Sequence, residues 1–241
     1  MAETVVLLHG FAGTRHGWDL VAARLQPERY RPLALDLRGH GDARDARPLT
    51  FAAVAADVAA AAPERFVLCG YSLGGRVALH VALADPERVS RLVLVASTAG
   101  IDDPALRAER READERLADE TERAGIEAFA ERWMRQPLFA GTPPAAAARW
   151  RADILRNDPV ALAAALRGIG AGAMDPLWDR LDELDGFPVT IIAGERDGRY
   201  AAIGRRLAHA LPGARLLVVP GAGHGLPREA PQAVAAAIAT E

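Results

Sequence analysis

Short apolar runs alternate along the chain with helix-length segments whose apolar residues recur every three or four positions. A strand with helices packed on both faces has no solvent side, so it reads as a continuous apolar run. Residues 4–9, 31–37, 66–70, 92–96, 189–193 and 216–219 have that character and are predicted as strands. Between them, 18–25, 51–61, 73–83, 201–211 and 230–237 carry the helical period and are often bounded by proline or glycine. The alternation predicts an α/β fold with a mostly parallel sheet and helices on both faces.

The alternation breaks over residues 101–185, which contain no convincing strand. Twelve of the nineteen positions of 105–123 are Arg, Glu or Asp, the pattern of a solvated helix carrying i,i+4 ion pairs. Helical pieces at 126–134, 145–156 and 160–169 follow. The expected organisation is therefore a core of 1–100 and 186–241 with a helical cap insert at 101–185. An insert placed after the 92–96 strand overhangs the carboxyl ends of the sheet, the edge where open α/β sheets bind ligands.

Composition narrows the function classes. With 241 residues, half of them hydrophobic, the chain can bury a substantial core. A formal net charge of −3 offers no general attraction to nucleic acid or anionic membranes. No stretch reaches the roughly 18 apolar residues of a membrane helix, and the start has no secretory pattern, so a cytoplasmic location is expected. Cys69 is the single cysteine, which excludes internal disulfides and cysteine-rich metal sites. All 29 basic residues are arginine, so lysine Schiff-base and lysine general-base chemistry are excluded. No pair of histidines has metal-ligand spacing, and no glycine-rich nucleotide loop follows a strand; neither metal nor cofactor is expected.

The strongest local motif is Gly70-Tyr71-Ser72-Leu73-Gly74-Gly75, a G-x-S-x-G sequence between a predicted strand and a predicted helix. Such a turn is tight enough to demand minimal flanking side chains and presents the serine hydroxyl at its tip. A serine hydroxyl needs a histidine to take its proton and a carboxylate to orient that histidine, in the chain order Ser, acid, His. His224, in Gly221-Ala222-Gly223-His224-Gly225, lies just past the last strand. His80 and His209 fall inside helices, and His16 and His40 in loops. Asp197 follows the 189–193 strand and is favoured as the acid over Glu195, which should point differently, and Asp175, which lies in the insert. The loop His9-Gly10-Phe11-Ala12-Gly13 would place the Phe11 N–H beside that of Leu73 as an oxyanion hole, with His9 structural.

These motifs together resemble the α/β-hydrolase superfamily over nearly the whole chain. More narrowly, the chain resembles the 2-succinyl-6-hydroxy-2,4-cyclohexadiene-1-carboxylate synthases of menaquinone biosynthesis. The resemblance is carried by the elbow ending in Arg76, Arg107-Ala108-Glu109-Arg110, Trp133 through Phe139, Leu155-Arg156-Asn157, Gly194-Glu195-Arg196-Asp197 and Ala222-Gly223-His224. It implies a lyase that removes a proton and eliminates pyruvate, with Ser72, His224 and Asp197 as the base system and no acyl-enzyme. It also implies a small polycarboxylate substrate held by Arg76, Arg110 and Arg156, in a pocket lined by Tyr71, Trp133 and Phe139. Met134, Arg199 and Gly225 depart from what that family often carries. Two other readings stay open: a serine hydrolase of the same fold acting on an ester or a vinylogous diketone, and a ligand-binding protein without turnover.

Overall fold

The computed structural model describes residues 2–240; Met1 and Glu241, the outer limits of the expected core, lie outside the described residues. Six strands form one all-parallel sheet: β1 (Glu3–Leu8), β2 (Tyr30–Leu35), β3 (Phe66–Tyr71), β4 (Val89–Val95), β5 (Val189–Gly194) and β6 (Arg215–Val219), in the order β2-β1-β3-β4-β5-β6. The central β3 and β5 are buried at every position, whereas edge strand β6 alternates between partly buried and exposed. Along β1, Val6 and Leu8 face one apolar core and Val5 and Leu7 the other. Helices α1 (Asp19–Ala22), α2 (Phe51–Ala61) and α3 (Leu73–Ala84) connect the first four strands.

The helical segment between β4 and β5 contains α4 (Pro104–Met134), α5 (Pro144–Ile154) and α6 (Pro159–Ile169). After β5 come α7 (Gly198–Ala210), then β6, α8 (Leu226–Glu229) and α9 (Pro231–Ala239). One face of the sheet is covered by α2, α3 and α7, the other by α1 and α9. Short polar side chains start the helices: Thr50, Asp103, Asp158 and Asp197 accept backbone N–H groups at the N-termini of α2, α4, α6 and α7.

Three expectations change in detail. Residues 18–25 yield only the single turn α1, because Arg24 and Leu25 donate to Val21 and Ala22 in tight three-residue turns that end the helix. The expected helices at 105–123 and 126–134 form one long α4, broken at Gly125, whose φ of 83° is left-handed. Finally, α4 carries the expected i,i+4 pairs, Arg116 with Glu112 among them, and a second set that crosses to α6. Arg110 meets Asp114 one turn on at 2.8 Å, but Glu115, Asp119 and Glu122 all converge on Arg167 of α6 at 2.6–2.8 Å. Its inner face buries Asp114, Ala118 and Thr121, so only the outer face is solvated.

Candidate active site

Each element of the site starts where a strand ends. At the end of β3 the chain reverses through Ser72, whose φ of 51° and ψ of −107° lie outside the ordinary wells. Gly70 and Gly74 make this turn possible: a Cβ on Gly70 would sit 2.2 Å from the Gly74 carbonyl oxygen, and one on Gly74 would sit 2.0 Å from that of Leu8. The Ser72 carbonyl is fixed by the Ser97 hydroxyl at 2.9 Å. Strain of this kind persists only where neighbours enforce it.

His224 arrives on the loop after β6 and Asp197 on the loop after β5. The His224 Nδ1–H donates to Asp197 Oδ2 at 2.7 Å, with both side chains almost wholly buried. Because the carboxylate can only accept, the proton sits on Nδ1, and Nε2 is left to accept from the Ser72 hydroxyl, 3.3 Å away. The other Asp197 oxygen accepts the Tyr200 N–H at 3.1 Å, so one carboxylate both starts α7 and orients the imidazole. Glu195 is turned outward to the Gly221 N–H, and Asp175 is exposed.

Four of the five remaining histidines are otherwise engaged, and His209 is exposed on α7. His80 stacks on Phe51 with ring centroids 4.5 Å apart, and His16 pairs with Asp19 at 3.5 Å. His9 accepts the Leu37 N–H at Nε2 (3.0 Å) and donates from Nδ1 to the Gly10 carbonyl (2.8 Å), which ties the start of the 9–14 loop to the chain just past β2. His40 packs edge-on against His9 and Phe11, and burial pushes it down to about 3. In the same loop Ala12 has a φ of 59°, and the Phe11 and Leu73 amides have no protein acceptor among the described residues.

Over the triad lies a cavity of about 510 Å³ between the sheet edge and the helical segment. Its walls include Phe11, Tyr71, Ser72, Arg76, Arg110, Trp133, Phe139 and His224, so most of the candidate residues share one space. Leu73 itself is buried beneath Ser72 as the first residue of α3. Arg156 is not among the walls. It follows the end of α5, points away from the cavity, and lines a separate shallow depression with His16, Arg149 and Arg228. The pattern Leu155-Arg156-Asn157 fixed its place in the sequence but not its face on the helix end.

Four arginines line the cavity (Arg76, Arg110, Arg196 and Arg199) against one carboxylate, Asp197, which is committed to His224. Arg76 is buried, donates to the Ile169 carbonyl at 3.1 Å and has no acidic partner among the described residues; burial lowers it to about 10, leaving it charged at neutral pH. Arg199 has no partner either among the described residues. The Trp133 indole N–H is buried without an acceptor among the described residues. Burial also holds the Tyr71 phenol well above its usual range, so it remains a neutral hydroxyl. Sequence reasoning did not single out Tyr200, whose ring lies 4.6 Å from that of His224, or Trp150, which packs 4.5 Å from Phe139. It also passed over Glu229, which accepts the N–H groups on both sides of His224, from Gly223 at 2.9 Å and Gly225 at 3.1 Å. Arg196 pairs with Glu229 at 2.6 Å and donates to the Gly141 carbonyl of the helical segment at 2.5 Å. The Arg196 signal was adjacency to Asp197; Glu229, four residues into a short helix, had none.

Comparison with known proteins places this geometry. Residues 5–237 match the model of the alpha/beta hydrolase family. A Bacillus subtilis (strain 168) relative is 36% identical over 96% of this chain and 87% of its own length. The 2-succinyl-6-hydroxy-2,4-cyclohexadiene-1-carboxylate synthase of Enterobacter sp. (strain 638) is 34% identical over 98% of this chain and 90% of its own. Among solved structures, MenH from S. aureus superposes with a TM-score of 0.91 at 30% identity, covering 98% of this chain and 91% of that one. A thermophilic esterase from Thermogutta terrifontis, solved with malate bound, has a TM-score of 0.86 at 28% identity, covering 99% and 88%. The chain belongs to the alpha/beta hydrolase family and, within it, groups with the 2-succinyl-6-hydroxy-2,4-cyclohexadiene-1-carboxylate synthases.

Proposed function

We infer that this protein is a carbon–oxygen lyase of menaquinone biosynthesis that eliminates pyruvate from 2-succinyl-5-enolpyruvyl-6-hydroxy-3-cyclohexene-1-carboxylate. The observation that carries the reading is a complete Ser–His–Asp relay beneath a cavity with four arginines and no uncommitted acid. Three carboxylates on one small substrate suit guanidinium forks, which hold a permanent charge and bind carboxylates in pairs of hydrogen bonds. Arg76, buried and without an acid, is the principal anchor. Arg110, which shares its charge with Asp114, and Arg199 at the core side complete the set.

In this mechanism the Ser72 hydroxyl gives its proton to Nε2 of His224 while its oxygen takes the proton from the ring carbon next to the succinyl carbonyl. Asp197 keeps the imidazole in the tautomer that can accept it. The carbonyl oxygen gains negative charge and receives the free Phe11 and Leu73 N–H groups. Collapse of that charge breaks the bond to the enolpyruvyl oxygen, which leaves as an enolate, takes up the proton held by His224 and becomes pyruvate. The Tyr71 hydroxyl and the unpartnered Trp133 N–H donate to substrate oxygens. We propose that residues 101–185 act as a cap that excludes water from the charged intermediate. No helix among the described residues is long and apolar enough to cross a membrane, and a biosynthetic role in the cytoplasm fits that.

The test is to supply the purified protein with this intermediate and follow pyruvate. Release without incorporation of solvent oxygen is expected, and absence of pyruvate refutes the reading. A second reading, ester hydrolysis through acyl-Ser72, draws on the likeness to the Thermogutta terrifontis esterase. Trapping of an acyl group on Ser72 during turnover would favour it.

A further inference from the structure

The loop that carries Phe11 is held from one side by His9 and from the other by the helical segment. Asn157, just past α5, donates from Nδ2 to the carbonyl of left-handed Ala12 at 3.0 Å and accepts the Gly41 N–H at Oδ1, also at 3.0 Å. Asp153, one turn earlier, accepts the Thr14 N–H at 3.1 Å and the Thr14 hydroxyl. Both side chains are buried, and Asp153 is neutralised by Arg228 of α8, four residues after His224. The Arg228 guanidinium in turn lies over the Trp150 ring, 4.9 Å from its centre.

Two features make this more than ordinary packing. An alanine in the left-handed region returns to a commoner conformation unless its peptide is held; the Ala12–Gly13 peptide also donates its N–H to the Gly10 carbonyl at 3.0 Å, and that carbonyl shares a peptide with the Phe11 N–H. A buried carboxylate that takes up a backbone N–H on a loop 139 residues away in sequence is fixed in direction as well as place. We propose that Asp153 and Asn157 are positioning residues that set the Phe11 N–H from the helical segment. The oxyanion hole is then assembled jointly by core and insert, and is complete only while α5 is seated. This rests on the reading of the Phe11 amide as an oxyanion donor.

The test uses a reaction that does not depend on the lyase assignment. Ethyl p-nitrophenyl methylphosphonate is attacked at phosphorus by the Ser72 oxygen; the bond to p-nitrophenolate breaks, the serine proton passes through His224 to solvent, and the phosphoryl oxygen occupies the hole. Stoichiometric p-nitrophenol release is measured for the parent, Asn157→Asp, which keeps the acceptor for Gly41 but loses the donor to Ala12, and Thr14→Val, which loses the hydroxyl that Asp153 accepts. The maximal rate of phosphonylation is expected to fall at least tenfold in both variants, with the half-saturating concentration within about threefold and the same folded fraction by circular dichroism. Thr14→Ser, which restores the hydroxyl, is expected to recover most of the loss. Pyruvate elimination should show the same split, a lower kcat at similar KM. Parent-like phosphonylation rates, a loss confined to half-saturation, or a loss in Thr14→Ser as deep as in Thr14→Val would each overturn the proposal. A parent protein that is phosphonylated yet releases no pyruvate removes the lyase reading alone, and the variants still decide this one.

Discussion

The two walls of the cavity are built on different principles. On the core wall, Ser72, Asp197 and His224 each stand within a few residues of a strand end, and hydrogen bonds to backbone fix the loops that carry them. On the opposite wall, Arg110, Trp133 and Phe139 sit on the helical segment, which meets the core through side-chain packing and a few hydrogen bonds at Asp153, Asn157 and Gly141. A sheet edge sets position to a fraction of an ångström, as catalysis requires. A helical wall tolerates sliding and is suited to choosing what enters. The core wall should therefore govern kcat and the helical wall KM, with two exceptions: Arg76, which projects from a core helix into the binding end, and the Asp153–Asn157 pair, which reaches from the helical segment to the Phe11 loop.

The largest break of this comparison is removal of the relay. Ser72→Ala and His224→Ala should each lower kcat by at least two to three orders of magnitude, with the double variant little worse because the residues act as a unit. Steady-state pyruvate release checks this, and additive losses would show that the two groups work separately. Next, Arg76→Ala should raise KM roughly 10- to 100-fold with a smaller change in kcat, as expected for lost carboxylate binding. Arg76→Lys should restore it only in part, because an ammonium lacks the planar fork.

Acid stability probes the loop behind the core wall. Burial lowers both His9 and His40, the latter to about 3 from an ordinary 6.5. The unfolded chain then binds protons more readily than the folded one, so stability is intact above about pH 6.5 and is lost as pH falls toward 3. For His40 the slope approaches about 1.4 kcal/mol per pH unit, and His9 adds in the same direction. Melting between pH 7 and 5 should show a fall of several degrees, and His40→Leu should flatten it; a parallel curve for that variant would exclude His40 as a source. The smallest effect is reserved for Arg156→Ala, which should leave KM within about twofold, since its side chain lies outside the cavity. A tenfold rise would mean that α5 turns during binding.

The same contrast explains what could be read from the sequence. The parallel sheet was legible because strands buried on both faces become uninterrupted apolar runs, and the elbow because glycines are the only residues that fit against the Gly74 and Leu8 carbonyls. Chain order then pointed to Asp197 and His224. The helical segment was legible as helices but not as a surface: which side of α5 Arg156 occupies depends on how α5 docks, and no local pattern records that. Arg167 illustrates the same limit. Its three acids lie on another helix, so a charge pattern read as pairing along α4 reports pairing across to α6 as well. Glu229 was missed because a carboxylate that binds backbone amides has no fixed spacing to the residue it serves.

Asp197 spends its second oxygen on the first turn of α7. Relocating the acid to another strand end during divergence would therefore need two changes at once, a new carboxylate facing His224 and a new start for a thirteen-residue helix. The helix thus ties the acid of the relay to the end of β5: losing Asp197 would release the imidazole and uncap α7 in one step.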